Sequence, residues 1–116
     1  MIELLYVCVG GFVGAIARFL LFQRFIKKER ATLFVNVSGS FLLVLLMPYI
    51  TTDWQYLLIA IGFFGAYTTF STFTLDVVQL AKTSKKEAAM YVMRMLSYSA
   101  VAMLVAYMIV DGMLRR

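Results

Sequence analysis

Four long apolar stretches restrict the fold of this chain more than any other feature. They occupy residues 4–22, 31–50, 54–80 and 88–110, and an α-helix needs roughly 20 apolar residues to cross the hydrocarbon core of a bilayer. Hydrophobic residues make up 63% of the chain and charged residues only 15%, whereas soluble domains average about a quarter charged. The sequence therefore predicts a single all-α integral membrane domain of four transmembrane helices.

Lysine and arginine are concentrated at one end of the predicted helices. Four spans place the first and third connections on one face, and that face collects nine basic residues: Arg18, Arg24, Lys27, Lys28, Arg30, Lys82, Lys85, Lys86 and Arg94. The opposite face has only Arg115 and Arg116. Because cytoplasmic loops are enriched in basic residues, we expect a multi-pass protein of the cell membrane with both termini outside.

Other classes of protein fit the composition poorly. The net charge of +5 comes from basic residues that form no continuous face, so we expect no nucleic-acid partner. Histidine is absent, and Cys8 is the single cysteine, which excludes an intrachain disulfide. Without histidine the chain lacks the most common general base and transition-metal ligand. We therefore expect it not to be an enzyme.

Two charged residues lie inside the apolar stretches, about one helical turn from the predicted cytoplasmic face. They are Arg18 in the first stretch and Asp76 in the third. An unpaired charge at membrane depth costs at least ~2.5 kcal/mol. We predict a structural contact between the two, direct or through water. The alternative is that Arg18 extends to the membrane surface as an anchor.

Small and polar residues recur at helical spacing in the first two stretches. Gly10 and Gly14, and likewise Gly11 and Ala15, are four apart, which permits close helix packing. Thr32, Asn36 and Ser40 are also four apart and share one helix face. Hydrogen bonding between helices explains such a polar face. The Asn36 amide also offers two donors that can replace water around an anion.

The third stretch carries an unusual polar segment at residues 62–74. It contains five Ser or Thr residues, four Phe residues and two Gly residues. Glycine and β-branched residues are poor helix formers, so we predict a break near residues 65–69. Broken backbone at membrane depth must be buried in protein or line a cavity. Phe70 and Phe73 share a face beyond the break, where simple packing is the alternative to a role in function.

Together these segments resemble the CrcB/Fluc family of fluoride channels. The resemblance rests on residues 11–18 (GFVGAIAR), 32–41 (TLFVNVSGSF), 62–65 (GFFG) and 68–73 (TTFSTF). It implies a fluoride-specific ion channel that lowers cytoplasmic fluoride by passive efflux and protects the cell from fluoride toxicity. It also implies an antiparallel dimer with two pores, each lined by both chains. The fourth stretch carries no recognisable signature.

The resemblance also assigns roles to individual residues. Asn36, Phe70, Phe73, Ser71 and Thr72 match the fluoride path, to which we add the neighbouring polar residues Ser40 and Thr69. The backbone carbonyls of Gly65 and Thr68 match the ligands of a structural Na⁺ at the dimer interface, which is not transported. We assign structural roles to Arg18, Asp76, Gly11 and Gly14. Asp76 stands where the family usually has Glu.

The sequence is compatible with more than one dimer partner and with more than one function. The subunits of homodimers in this family insert in both orientations. In this chain nine basic residues lie on one predicted face and two on the other, which favours a single orientation. We therefore expect this chain to pair either with itself or with an oppositely oriented paralogous subunit. Small multidrug-resistance-type exporters have a similar size, but they need an acidic residue deep in the first helix, where this chain has only Glu3 at the edge. The other alternative is a non-conducting partner subunit of a heterodimeric channel.

Overall fold

The computed structural model describes residues 1–115 and is helical almost throughout. The first helix, α1, spans Ile2–Phe22, and α2 spans Lys28–Leu46 and continues into a short 3₁₀ turn at Met47–Tyr49. The third span covers Asp53–Thr83, and the final helix covers Lys85–Leu114. The prediction of an all-helical chain with four helices long and apolar enough to cross a membrane is confirmed. Arg116, which entered the charge count, lies outside the described residues.

The third span consists of several helical pieces. Residues 53–67, called α3 below, comprise an α-helical turn at Asp53–Gln55, a π-helical segment at Tyr56–Phe63 and a second α-helical turn at Phe64–Tyr67. Thr68 and Thr69 then take extended backbone angles, with ψ values of 159° and 118°. A new helix, α4, begins at Phe70 and ends at Thr83. The last helix, Lys85–Leu114, is therefore α5.

Short polar caps separate consecutive helices. The Thr52 side chain accepts a hydrogen bond from the Gln55 N–H, and the Gln55 side chain bonds back to the Thr52 backbone. Ser84 alone separates α4 from α5, and its hydroxyl accepts from the Glu87 N–H at 3.3 Å. Such caps satisfy N–H groups that have no partner in the first turn of a helix.

The helices pack as two main pairs. The first pair is α1 with α3, and the second is α2 with α5. Gly10 and Gly14 lie at the first crossing, where an added Cβ atom would overlap the carbonyls of Leu58 and Phe63 respectively. Gly11 is less crowded, because its nearest neighbour would be the Gly62 carbonyl oxygen at 3.8 Å. The close approach of α1 therefore depends on Gly10 and Gly14, and not on Gly11.

Most of the apolar surface of the chain faces outward. The buried core is small and centres on Val35, Phe64 and Tyr67, whereas Phe12 on α1 is 68% exposed and Leu104 on α5 is 58% exposed. Apolar patches of this extent are rare on soluble monomers. Together with four helices of spanning length, they indicate a multi-pass membrane protein.

The crossing of α1 and α3 predicts opposite outcomes for two neighbouring alanine substitutions. Gly14→Ala places a methyl group against the Phe63 carbonyl, so it should lower stability by about 1–3 kcal/mol, as overpacking does elsewhere. Gly11→Ala is the matched control and should have little effect, because the nearest atom is at ordinary contact distance. Thermal unfolding of both variants in detergent measures the difference. Equal stability of the two variants would contradict this packing.

Candidate functional site

The site is built around a contact between α2 and the extended residues that follow α3. The side chain of Asn36 binds the backbone of Thr69 at two points. Its Nδ2 donates to the Thr69 carbonyl oxygen at 3.1 Å, and its Oδ1 accepts from the Thr69 N–H at 2.8 Å. One side chain therefore satisfies both backbone groups of a buried residue that belongs to no helix, which would otherwise remain without partners.

Two carbonyls lose their usual helical donors because of this arrangement. In a continuous helix the Gly65 carbonyl would accept from the Thr69 N–H, but that N–H is bound to Asn36. The Thr68 carbonyl would likewise accept from the Thr72 N–H, which instead donates to Thr69 Oγ1 at 3.1 Å. Thr69 thus caps α4. The carbonyl oxygens of Gly65 and Thr68 therefore do not accept these two helical hydrogen bonds.

Residues of α2 pack closely against the segment around the interruption. An added Cβ at Gly39 would overlap the Thr68 methyl group, so only glycine allows this close approach. The Ser38 hydroxyl lies 2.9 Å from the Tyr67 hydroxyl. Ser40 donates to the Asn36 carbonyl oxygen at 2.8 Å, which places it one helical turn beyond Asn36 on the same face.

An open groove of about 370 Å³ runs along this segment, and we call it the α2–α3 groove. Six of the site residues chosen from sequence line it together: Asn36, Ser40, Gly65, Thr68, Thr69 and Phe70. The remaining lining comes from small or apolar residues, among them Gly39, Leu43 and Phe64. The groove therefore combines uncharged polar groups with apolar walls and contains no ionisable side chain among its described lining residues.

The other predicted path residues lie on the first turns of α4. Phe70 projects outward and is 80% exposed, and its ring centroid lies 6.1 Å from that of Phe73. Phe73 in turn lies 5.5 Å from the ring of Tyr91 on α5. Ser71 is exposed, and the Thr72 hydroxyl accepts from Thr69 Oγ1 at 3.0 Å. Ser71, Thr72 and Phe73 do not line the groove itself.

Asp76 has two hydroxyl partners that were not predicted from the sequence. Its carboxylate is 2% exposed and accepts from Thr32 Oγ1 at 2.8 Å and from the Tyr91 hydroxyl at 3.1 Å. Among residues 1–115 no ion pair joins Arg18 to Asp76, so the expected direct contact is not formed. Two buried hydroxyl donors stabilise the charge in place of the guanidinium.

Sequence reasoning missed two participants on α5. Tyr91 links Asp76 to the Phe70–Phe73 pair, and Met95 places its sulfur atom 3.6 Å from Asn36 Nδ2. Both side chains are 5% exposed. The only sequence signal for Tyr91 and Met95 was their separation of four residues, which places both on one helix face. That spacing is common in transmembrane helices and points to no particular function.

Comparison with known proteins decides the family. A family model described as "CrcB-like protein, Camphor Resistance (CrcB)" matches residues 5–110, which is most of the chain. The chain belongs to the CrcB family. The match includes most of α5, the helix for which the sequence motifs gave no signature.

Several curated relatives support the same assignment. A protein of Bacillus cereus named "Fluoride-specific ion channel FluC 2" is 49% identical over 86 residues, which cover 69% of this chain and 72% of the relative. "Fluoride-specific ion channel FluC" of Koribacter versatilis is 45% identical over 86 residues, or 64% of this chain and 67% of the relative. "Fluoride-specific ion channel FluC 1" of Ligilactobacillus salivarius is 39% identical over 85 residues, which cover 70% of this chain and 75% of the relative.

Proposed function

We propose that this chain is a subunit of a fluoride-specific ion channel that lets fluoride leave the cytoplasm passively. The observation that carries the proposal is the α2–α3 groove, in which uncharged polar groups surround an interruption between two helices. The fluoride-channel names of several CrcB relatives point to the same ion. The function is transport, and it requires no catalytic residue.

The groove offers donors suited to a small anion. Fluoride holds its water strongly, so a conducting path must supply hydrogen-bond donors in place of that water. One N–H of Asn36 is bound to Thr69, whereas the other faces only the Met95 sulfur at 3.6 Å. Because thioether sulfur is a weak acceptor, this second N–H is the donor most readily transferred to an ion.

The aromatic pair on α4 supplies a second kind of donor. Ring edges carry the positive part of the aromatic quadrupole, and the exposed Phe70 directs its ring away from its own subunit. The hydroxyls of Ser71 and Thr72 extend the polar path along α4. We propose that fluoride passes from the Asn36 region along the edges of Phe70 and Phe73.

The absence of charge in the described groove lining suits conduction. A desolvated Lys or Arg would hold an anion too tightly for release, whereas conduction requires several weak sites in series. Amide, hydroxyl and ring-edge hydrogens each bind fluoride weakly. The groove therefore favours passage of the ion over its storage.

A structural Na⁺ fits the carbonyls at the interruption. Hard cations prefer oxygen ligands, and the carbonyls of Gly65 and Thr68 have lost their helical donors to Asn36 and Thr69. We propose that these two oxygens contribute to a sodium site that is not part of the transport path. The bound cation would supply positive potential close to the anion path.

An antiparallel dimer would complete the path. The groove is open on one side, and Phe70 stands 80% exposed at its edge, so one chain provides only part of a pore wall. We propose that the interruption lies at mid-bilayer and packs against the same region of an inverted partner. Two such grooves, each closed by the other subunit, would give two pores and would bring the sodium ligands to the interface.

The basic residues favour one orientation for this chain. Most of them lie near the end of α1, in the connection to α2 and its first turn, at the end of α4 and in the first turns of α5, which supports both termini outside. We propose that the partner is an oppositely oriented paralogous subunit. The numbered names of several relatives, FluC 1 and FluC 2, are compatible with paired forms.

Replacement of the aromatic ring of Phe70 or Phe73 should abolish most of the fluoride flux. In liposomes that contain the assembled dimer, with Na⁺ present, Phe70→Ile or Phe73→Ile should slow fluoride efflux on the order of tenfold or more, because each removes an aromatic contact with the ion. A fluoride electrode measures efflux. Phe12→Ile, which replaces an exposed phenylalanine of α1 outside the proposed path, is the control and should leave flux unchanged.

The same assay separates the alternatives. Normal flux in both α4 variants would contradict the proposed path. A correctly assembled wild-type dimer that is impermeable to fluoride would favour the non-conducting subunit. Efflux driven only by a proton gradient would favour the exporter, which the family match does not support.

Orientation makes an independent prediction. Accessibility labelling of single cysteines placed at the N-terminus and in residues 23–27 should find this chain in one orientation when it is expressed alone, with the N-terminus outside. The charge imbalance is the reason. Equal labelling of both positions from both sides of the membrane would show dual insertion, and it would favour the homodimer over the paralogous pair.

A further inference from the structure

A cationic cavity lies at one end of the helices, away from the α2–α3 groove. Its volume is about 690 Å³, and the starts of α2 and α5 form its walls together with the end of α4. Its charged lining residues are Lys27, Arg30, Lys86, Arg94, Glu29 and Glu87. Four cations against two carboxylates leave an excess of positive charge. Helix N-termini also carry partial positive charge, and two of them, at Lys28 and Lys85, meet here.

The cationic side chains of this cavity have no carboxylate partners of their own. Among residues 1–115 the ion pairs are the Met1 amine with Glu3 and Arg115 with Asp111, both elsewhere in the fold. Glu29 and Glu87 line the cavity but approach none of the four cations within ion-pair distance. The guanidinium and ammonium groups are therefore available for an external anion.

An apolar groove begins where the cationic cavity ends. It has a volume of about 470 Å³, runs between α2 and α5, and is lined by Leu33, Phe34, Val37, Phe41, Tyr98 and Ala102, among others. Arg30 lines both the cavity and the groove, so the two spaces are neighbours. The groove lies along helices that span the bilayer and is therefore at the depth of lipid acyl chains.

We propose that these two spaces together form a binding site for an anionic glycerophospholipid. The phosphate of the headgroup binds in the cationic cavity, where Arg30 and Arg94 offer the paired N–H donors that suit phosphate oxygens. One acyl chain follows the apolar groove along α2. Basic pockets between transmembrane helices bind anionic headgroups by this physical logic.

The adjoining groove identifies a lipid as the occupant. A soluble phosphate would use the cations but would leave the groove without a role. A zwitterionic lipid would fill the groove but would gain less from the excess positive charge. No predicted residue of the fluoride path lines either space, and the cavity lining is linked to the described path residues through Tyr91, which packs against Phe73.

Lipid retention on the purified protein tests the proposal. Native mass spectrometry from detergent micelles that contain equal amounts of phosphatidylglycerol and phosphatidylcholine should show preferential retention of phosphatidylglycerol. Lys27→Gln combined with Arg30→Gln should reduce that retention on the order of tenfold, because each basic residue near the membrane surface contributes to the attraction. Arg24→Gln with Lys28→Gln removes the same charge outside the cavity lining and should retain the lipid.

A second pair of variants tests the acyl groove. Ala102→Phe fills the groove and should also reduce retention, whereas Ala100→Phe adds the same ring at an exposed position outside the groove lining. Three results would overturn the proposal: equal retention by the wild type and the Lys27/Arg30 variant, equal loss in the Arg24/Lys28 control, or full displacement of the lipid by millimolar inorganic phosphate. Equal retention by the Lys27/Arg30 variant would mean that the cavity does not bind the lipid. Equal loss in the Arg24/Lys28 control would mean that the lipid responds to surface charge in general. Displacement by phosphate would mean that the cavity binds small anions.

Discussion

The two hydrogen bonds between the Asn36 amide and the Thr69 peptide are the interaction on which the candidate site depends. Extended backbone between the two helices of one transmembrane span has N–H and C=O groups that lipid cannot satisfy. Asn36 satisfies both groups of Thr69 from a neighbouring helix. This contact makes the interruption stable, and it redirects the donor that would otherwise close on the Gly65 carbonyl.

The rest of the site follows from that contact. Gly39 lets α2 approach Thr68 closely enough for Asn36 to reach Thr69, and Thr69 starts α4 in a direction that leaves Phe70 outward. Further along α4, Thr32 and Tyr91 hold the buried Asp76. The proposed conduction of fluoride uses the same uncharged groups that hold the segment in place. A structural role and a functional role are therefore combined in single residues such as Asn36.

Much of this arrangement could be predicted from sequence, because backbone groups in lipid must form hydrogen bonds within the protein and spanning segments are therefore helical. Apolar stretches of spanning length predicted four helices, and polar residues four apart predicted that Asn36 and Ser40 share a face, as they do in the groove lining. The partners of Asp76 could not be predicted, since charge alone favoured Arg18 over two hydroxyls. The π-helical segment at Tyr56–Phe63 also left no signal, because a run of Leu, Ile and Ala fits an α-helix equally well. Tyr91 and Met95 were missed because tertiary packing, and not a motif, brings α5 to the site.

The most direct measurement is the rate of fluoride efflux from liposomes that contain the Asn36→Asp variant. A carboxylate would place an acceptor oxygen opposite the Thr69 carbonyl, in place of the amide donor, and would repel the anion. The account predicts that efflux falls on the order of tenfold or more relative to the wild type. Efflux at the wild-type rate would contradict the claim that uncharged donors at this interruption carry the ion.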